Sequence, residues 1–156
     1  MSVEYVRRLE RIRDEHWAAS GSLAYVSVNW HRANIFNFPS LEAVGVEDVR
    51  NAADDLESTY FIRLFSVFEG ILKEHLAENH PHLSVAEDVP AASLIDRVSR
   101  LQRPRISDIL RGRVHDVRRY RNYLVHAGGN LPAFVQFSEA LGRLTRFADH
   151  LPAPPH

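Results

Sequence analysis

The chain has 156 residues, of which 45% are hydrophobic and 25% charged, with a formal net charge of −1. These are the proportions of one ordinary globular domain, which excludes a disordered or fibrous chain. No apolar run approaches the ~20 residues of a membrane span, and the charged N-terminus MSVEYVRRLERIRDEHW has no signal-peptide core. Cysteine is absent, which removes disulfides, thiol nucleophiles and thiolate metal sites. A cytoplasmic protein without membrane contact is the expectation. One helical domain is expected over 1–156, its core spanning about 46–150 and preceded by a helix-and-loop extension over 1–45.

Five helices are expected, taken in order. Residues 2–19 carry a broken apolar stripe through Val3, Val6, Leu9, Arg13 and Trp17, with Ser2 as a cap. Residues 20–39 then read as an irregular loop or short hairpin, because Gly21, Asn29, Asn34, Asn37 and Pro39 interrupt an aromatic, β-branched segment. A loop of that length suggests a cover or a contact surface.

The strongest helix is expected over 46–79. Val49, Ala53, Leu56, Tyr60, Leu64, Val67 and Ile71 fall at steps of three and four, and Phe61, Phe65, Phe68, Leu72 and Leu76 add a second stripe. So wide an apolar face requires helices on both sides or a second subunit. Pro81 stops it. Short helices follow over 91–102 and 107–126, the latter closed by Gly128 and Gly129. A fifth is expected to open at Pro132 and to carry Phe134, Phe137, Leu144 and Phe147. The fold class is therefore all-α: an antiparallel up-and-down bundle of four to five helices.

Charge is segregated along this plan. Residues 41–96 hold twelve acids against three bases, and residues 97–121 hold nine arginines against two aspartates. Such a basic stripe suits a local site for a polyanion, or pairs with the acidic segment of the same or another chain. Eighteen of the nineteen bases are Arg, a skew that GC-rich coding also produces.

The fourth helix carries an anomaly. At 100° per residue, Leu110, Val114, Val117, Leu124 and Val125 share a side, and Arg121 falls among them where Leu is expected. Either a carboxylate such as Glu69 neutralises it in the interior, or it lines a cleft where its fork of donors meets phosphate. His126, in the last turn, is either a helix-end cap or a general acid/base with a pKa near neutrality. Asn122, one turn before it, can orient the ring or donate to an oxyanion. An ideal helix sets Arg121 and His126 about 140° apart, so they meet through Arg reach, a distorted last turn or a two-fold axis.

The run RNYLVH, Arg121 to His126, resembles the HEPN superfamily, whose signature is Arg, four to six residues, then His. Asn directly after the Arg is a common form of that signature. The segment RLFSVFEGILKEHL, Arg63 to Leu76, is similar to the helix in which these domains set an acidic residue among apolar neighbours, and Glu69 takes that place. The RiboL-PSP-HEPN type is the nearest form. The likeness covers about 46–150.

This resemblance implies metal-independent RNA cleavage by an endoribonuclease of a toxin–antitoxin, abortive-infection or other defence system. It also implies an active cleft shared in a homodimer. Arg121 would stabilise the scissile phosphate, His126 would move protons at the 2′-hydroxyl and the leaving oxygen, Asn122 would orient them, and Glu69 would support the site. Some family toxins carry a Tyr two residues after the His, which a partner nucleotidyltransferase modifies; here that position is Gly128. An antitoxin or neighbouring defence protein is a further expected partner, and no cofactor is expected.

Other readings remain open. Some HEPN-like domains are non-catalytic dimeric modules that bind a partner protein or a nucleotide, and an unrelated bundle can carry the motif by accident. His115, Arg118 and Arg119 extend the polar side of the motif helix toward an RNA backbone, or form a solvated face. His75, His80 and His82 suit a surface turn better than a metal site. Trp30 and His31 either stack on a base or pack on the bundle.

Overall fold

The protein is described from a computed structural model over residues 3–30, 45–83, 89–126 and 131–152. Five helices follow in order: α1 (Val3–Val28), α2 (Val46–Asn79), α3 (Ala91–Leu101), α4 (Asp108–Val125) and α5 (Phe137–Ala148). There is no strand among the described residues, so the architecture is an all-α bundle.

The two apolar stripes of α2 make it the central helix, in contact with α1, α3, α4 and α5. Phe61, Leu64, Phe65, Phe68, Ile71, Leu72 and Leu76 are all buried. Phe61 meets Tyr120 of α4 edge-on at 5.0 Å and Phe68 meets Phe147 of α5 at 5.4 Å. Of the two alternatives for so wide a face, the chain's own helices are the cover. Surplus apolar surface on this helix is therefore no reason to expect a second subunit.

Cross-helix contacts fix the directions. Tyr5 donates to Glu78, Arg8 pairs with Glu74, and Glu15 pairs with Arg63 at 2.6 Å, so α1 runs antiparallel to α2. Arg121 sits by Phe65, and Leu124 lines a pocket with Asp54 and Glu57, so α4 also runs antiparallel to α2. Phe137 sits by Glu57 and Phe147 by Phe68, so α5 runs parallel to α2 and antiparallel to α4, to which Arg143 ties it through Asp116 and the Arg113 carbonyl.

Two boundaries differ from the sequence expectation. The first helix does not end at 19: Gly21 to Val28 continue it, and residues 31–39 of the expected loop or hairpin lie outside the described residues. Ser22 donates to the Ala18 carbonyl, so this polar side chain bonds within the helix rather than breaking it, and Asn29, just past the end, donates back to the Tyr25 carbonyl. The fifth helix opens at Phe137 and not at Pro132. Val135 is buried in an unwound lead-in, and the Phe137 N–H faces the Glu57 carboxylate of α2 at 3.5 Å. An acceptor from another helix thus sets where α5 starts.

The remaining ends follow local chemistry. Asp48 accepts from the Gly45 N–H at 2.7 Å to close the start of α2. Ser107 accepts from the Leu110 N–H at 3.2 Å and caps α4. Trp30 is buried, which places it in the packing of the bundle. His31, Gly128 and Gly129 lie outside the described residues.

Candidate functional site: the C-terminal turns of α4

Up to Val117, the inner stripe of α4 is apolar and sealed: Val114 and Val117 are fully buried. From there the helix changes character. Arg118, Arg121, Asn122 and Val125 stand at i, i+3, i+4 and i+7, one continuous stripe. Val125, at its end, is 42% exposed. The side that is core at Val114 is open at Val125.

Arg121 is half-buried on this stripe. Its guanidinium lies over the Phe65 ring of α2, 5.9 Å from the centroid. One terminal nitrogen donates to the Asn122 amide oxygen at 3.2 Å, and its Nε is buried without a hydrogen-bond partner. Among the described residues no carboxylate lies within ion-pair distance of it. Glu69, the partner expected from the sequence, pairs instead with Lys73 one turn along α2, at 3.3 Å.

His126 is the C-cap of α4, with φ −116° and ψ 71°, and its backbone N–H still donates to the Asn122 carbonyl at 2.9 Å. Its side chain is exposed. Asn122 thus serves both ends of the motif: its side chain holds Arg121, and its backbone holds the turn that presents His126.

The three flanking basic residues fall into different situations. His115 is tied to α3, its Nε2 at 3.0 Å from Asp96. The bond to His115, with Arg111 and Arg100 adding to it, holds the Asp96 carboxyl below its ordinary range despite the opposing effect of burial. Arg119 is exposed and paired with Asp116. Arg118 is half-buried, with a buried Nε that has no partner. Most of the stripe over 97–121 is not neutralised by the acidic segment: among the described residues, Asp96 is the one acid of 41–96 that pairs with it.

The histidines at the end of α2 do other work. His75 is fully buried, with the Gln102 amide 2.6 Å from its Nε2 and Asn79 donating to its Nδ1 at 3.2 Å. Burial pushes its pKa down to about 4, with nearby His80 adding to the effect. Among the described residues no group of three or more His, Asp or Glu is placed to hold a metal ion. Nor is any described helix long and apolar enough to cross a membrane. A cavity of about 670 Å³ lies beside His75, lined also by Arg103 and His150, and neither Arg121 nor His126 borders it.

Sequence reading missed the Phe65 platform, the bond from Arg121 to Asn122 and the distinction between Arg118 and Arg119. The signal for Phe65 was present in the second stripe of α2, but only the pairing register of α2 and α4 sets it under Arg121. Comparisons of the chain with family models, with characterised proteins and with solved structures give no match.

Proposed function

We propose that the protein is a metal-independent endoribonuclease of the HEPN type, cytoplasmic, acting in a toxin–antitoxin, abortive-infection or other defence system. The observation that carries this reading is the state of Arg121. A guanidinium set on an apolar wall is normally neutralised by a carboxylate. Here a neutral amide orients it, and its charge remains available to a phosphate.

The chemistry then follows from the residues. RNA carries its own nucleophile, the 2′-hydroxyl, so cleavage needs proton transfer and charge stabilisation at phosphorus. His126, exposed beside the Asn122 turn, takes the proton from the 2′-oxygen or returns one to the leaving 5′-oxygen. Arg121 bears the charge that accumulates on the non-bridging oxygens. Asn122 fixes the direction of the guanidinium.

The site is read as shared between two copies. His126 and Arg121 diverge around α4, and a second motif across a two-fold axis supplies both acid and base. Val125 is 42% exposed on the motif helix, Phe134, 65% exposed, lies against Tyr120 of that helix, and Leu131 is 74% exposed; such exposed apolar side chains suit self-association. Glu69 supports the site through α2 rather than by pairing with Arg121. Incubation of the purified protein with total RNA in EDTA tests the reading. Fragmentation that is lost in Arg121→Gln supports it, and intact RNA across protein concentrations overturns it.

A further inference from the structure

We infer that Arg118 and Arg121 together form a two-guanidinium clamp on a single phosphate group, so that Arg118 belongs to the phosphate site itself. This rests on and deepens the reading above, which assigned the scissile phosphate to Arg121 alone.

The two residues stand three apart on α4, so their side chains are neighbours on the helix surface. Both are half-buried, and in both the Nε is buried without a hydrogen-bond partner. Among the described residues neither has a carboxylate within ion-pair distance. Every other basic side chain between His115 and Arg121 is compensated: His115 by Asp96 and Arg119 by Asp116. Two adjacent like charges, partly withdrawn from water and left without counter-charge, are unfavourable unless an anion binds between them. Asn122 and the exposed Val125 continue the same stripe, so the approach from solvent is open. A phosphate offers several acceptor oxygens, enough for forks from both sides.

Phosphate of this kind belongs either to an RNA chain or to a free or terminal phosphate. Titration calorimetry at low salt with two probes separates the sources: a 2′-O-methyl RNA 12-mer, which lacks the nucleophile, and inorganic pyrophosphate. Both are titrated into the full chain. Arg118→Gln and Arg121→Gln are each expected to weaken binding about 10- to 100-fold. The loss in the double variant is expected to fall short of the product of the single losses, because both forks hold one group. Arg119→Gln weakens binding far less, and Arg7→Gln, a control for net charge on α1, leaves it unchanged. Should Arg118→Gln fail to fold by circular dichroism, Arg118→Lys keeps the stem and the charge but loses the fork, and an intermediate affinity is expected.

Binding of the oligonucleotide alone assigns the clamp to the chain phosphodiester, and binding of pyrophosphate alone assigns it to a free or terminal phosphate. Failure of both probes to bind, an Arg118→Gln effect no larger than that of Arg119→Gln, or losses that simply multiply would overturn the clamp. A protein that binds through both arginines yet leaves RNA intact would end the ribonuclease reading while the clamp stands. A protein that cleaves RNA with Arg118→Gln unimpaired would do the reverse.

Discussion

The Glu69 carboxylate of α2 meets Lys73 at 3.3 Å, one helical turn along, and among the described residues no acid pairs with Arg121. Removing Arg121 therefore strands no buried carboxylate. Arg121→Gln is expected to change unfolding stability by no more than ~1 kcal/mol, the range of a half-exposed polar change. Urea denaturation followed by circular dichroism measures this. A loss of ~3 kcal/mol or more would show that Arg121 is an internal structural charge with a partner of its own.

His115 is engaged by Asp96 at 3.0 Å and so joins α3 to α4. His115→Gln is expected to lower stability by ~1 kcal/mol, the net order of one partly exposed hydrogen bond, while leaving RNA affinity nearly unaltered. Parallel melts and binding titrations check both halves. A large loss of affinity with unchanged melting would return His115 to the RNA surface.

His75 gives the fold an acid-sensitive point. Its pKa in the folded state is about 4, against an ordinary 6.5. Above 6.5 the ring is neutral in both states and adds no pH dependence. As pH falls from 6.5 toward 4 the unfolded chain takes up the proton and the folded chain resists it, so stability declines through that window. The full shift corresponds to ~3 kcal/mol. Urea midpoints at pH 7 and pH 5 are expected to differ in the wild type and to converge in His75→Gln. An equal decline in both proteins would place the acid sensitivity elsewhere.

A shared cleft requires self-association. Light scattering at tens of micromolar protein is expected to give the mass of a dimer, the commonest closed symmetry. Leu131, 74% exposed, is expected to contribute to that contact and little to the core. Leu131→Glu should then yield a folded monomer. A monomer mass for the wild type would remove the two-fold cleft.

The sequence carried the architecture well where periodicity was strong. Both bounds of α2 were legible, because its apolar positions recur without interruption from Val49 to Leu76 and Pro81 ends the pattern. It failed where tertiary contacts override local preference. Gly21 suggested a break, yet α1 continues to Val28 by packing along α2. Pro132 offered a helix start, yet the Glu57 acceptor and the burial of Val135 move it to Phe137.

At the site, the displacement of Leu by Arg121 was visible in the pattern, but its surroundings were not. The competing pair from Glu69 to Lys73 stands at ordinary helical i,i+4 spacing and is legible in the sequence. Arg118 and Arg119 look equivalent in sequence, and only the placement of Asp116 separates them.

The chemistry at the ends of the product reports directly whether the 2′-hydroxyl is the nucleophile and His126 the acid/base. A defined single-stranded RNA is incubated in EDTA with wild-type protein and with His126→Ala, and the 3′ ends are analysed by mass spectrometry. The wild type is expected to give 2′,3′-cyclic phosphate or its hydrolysis product. In His126→Ala the rate is expected to fall by about 10²–10⁴ at unchanged melting temperature, since the side chain is exposed at the end of α4. Undiminished cleavage by His126→Ala, or cleavage that EDTA stops and a divalent metal restores, would contradict this mechanism.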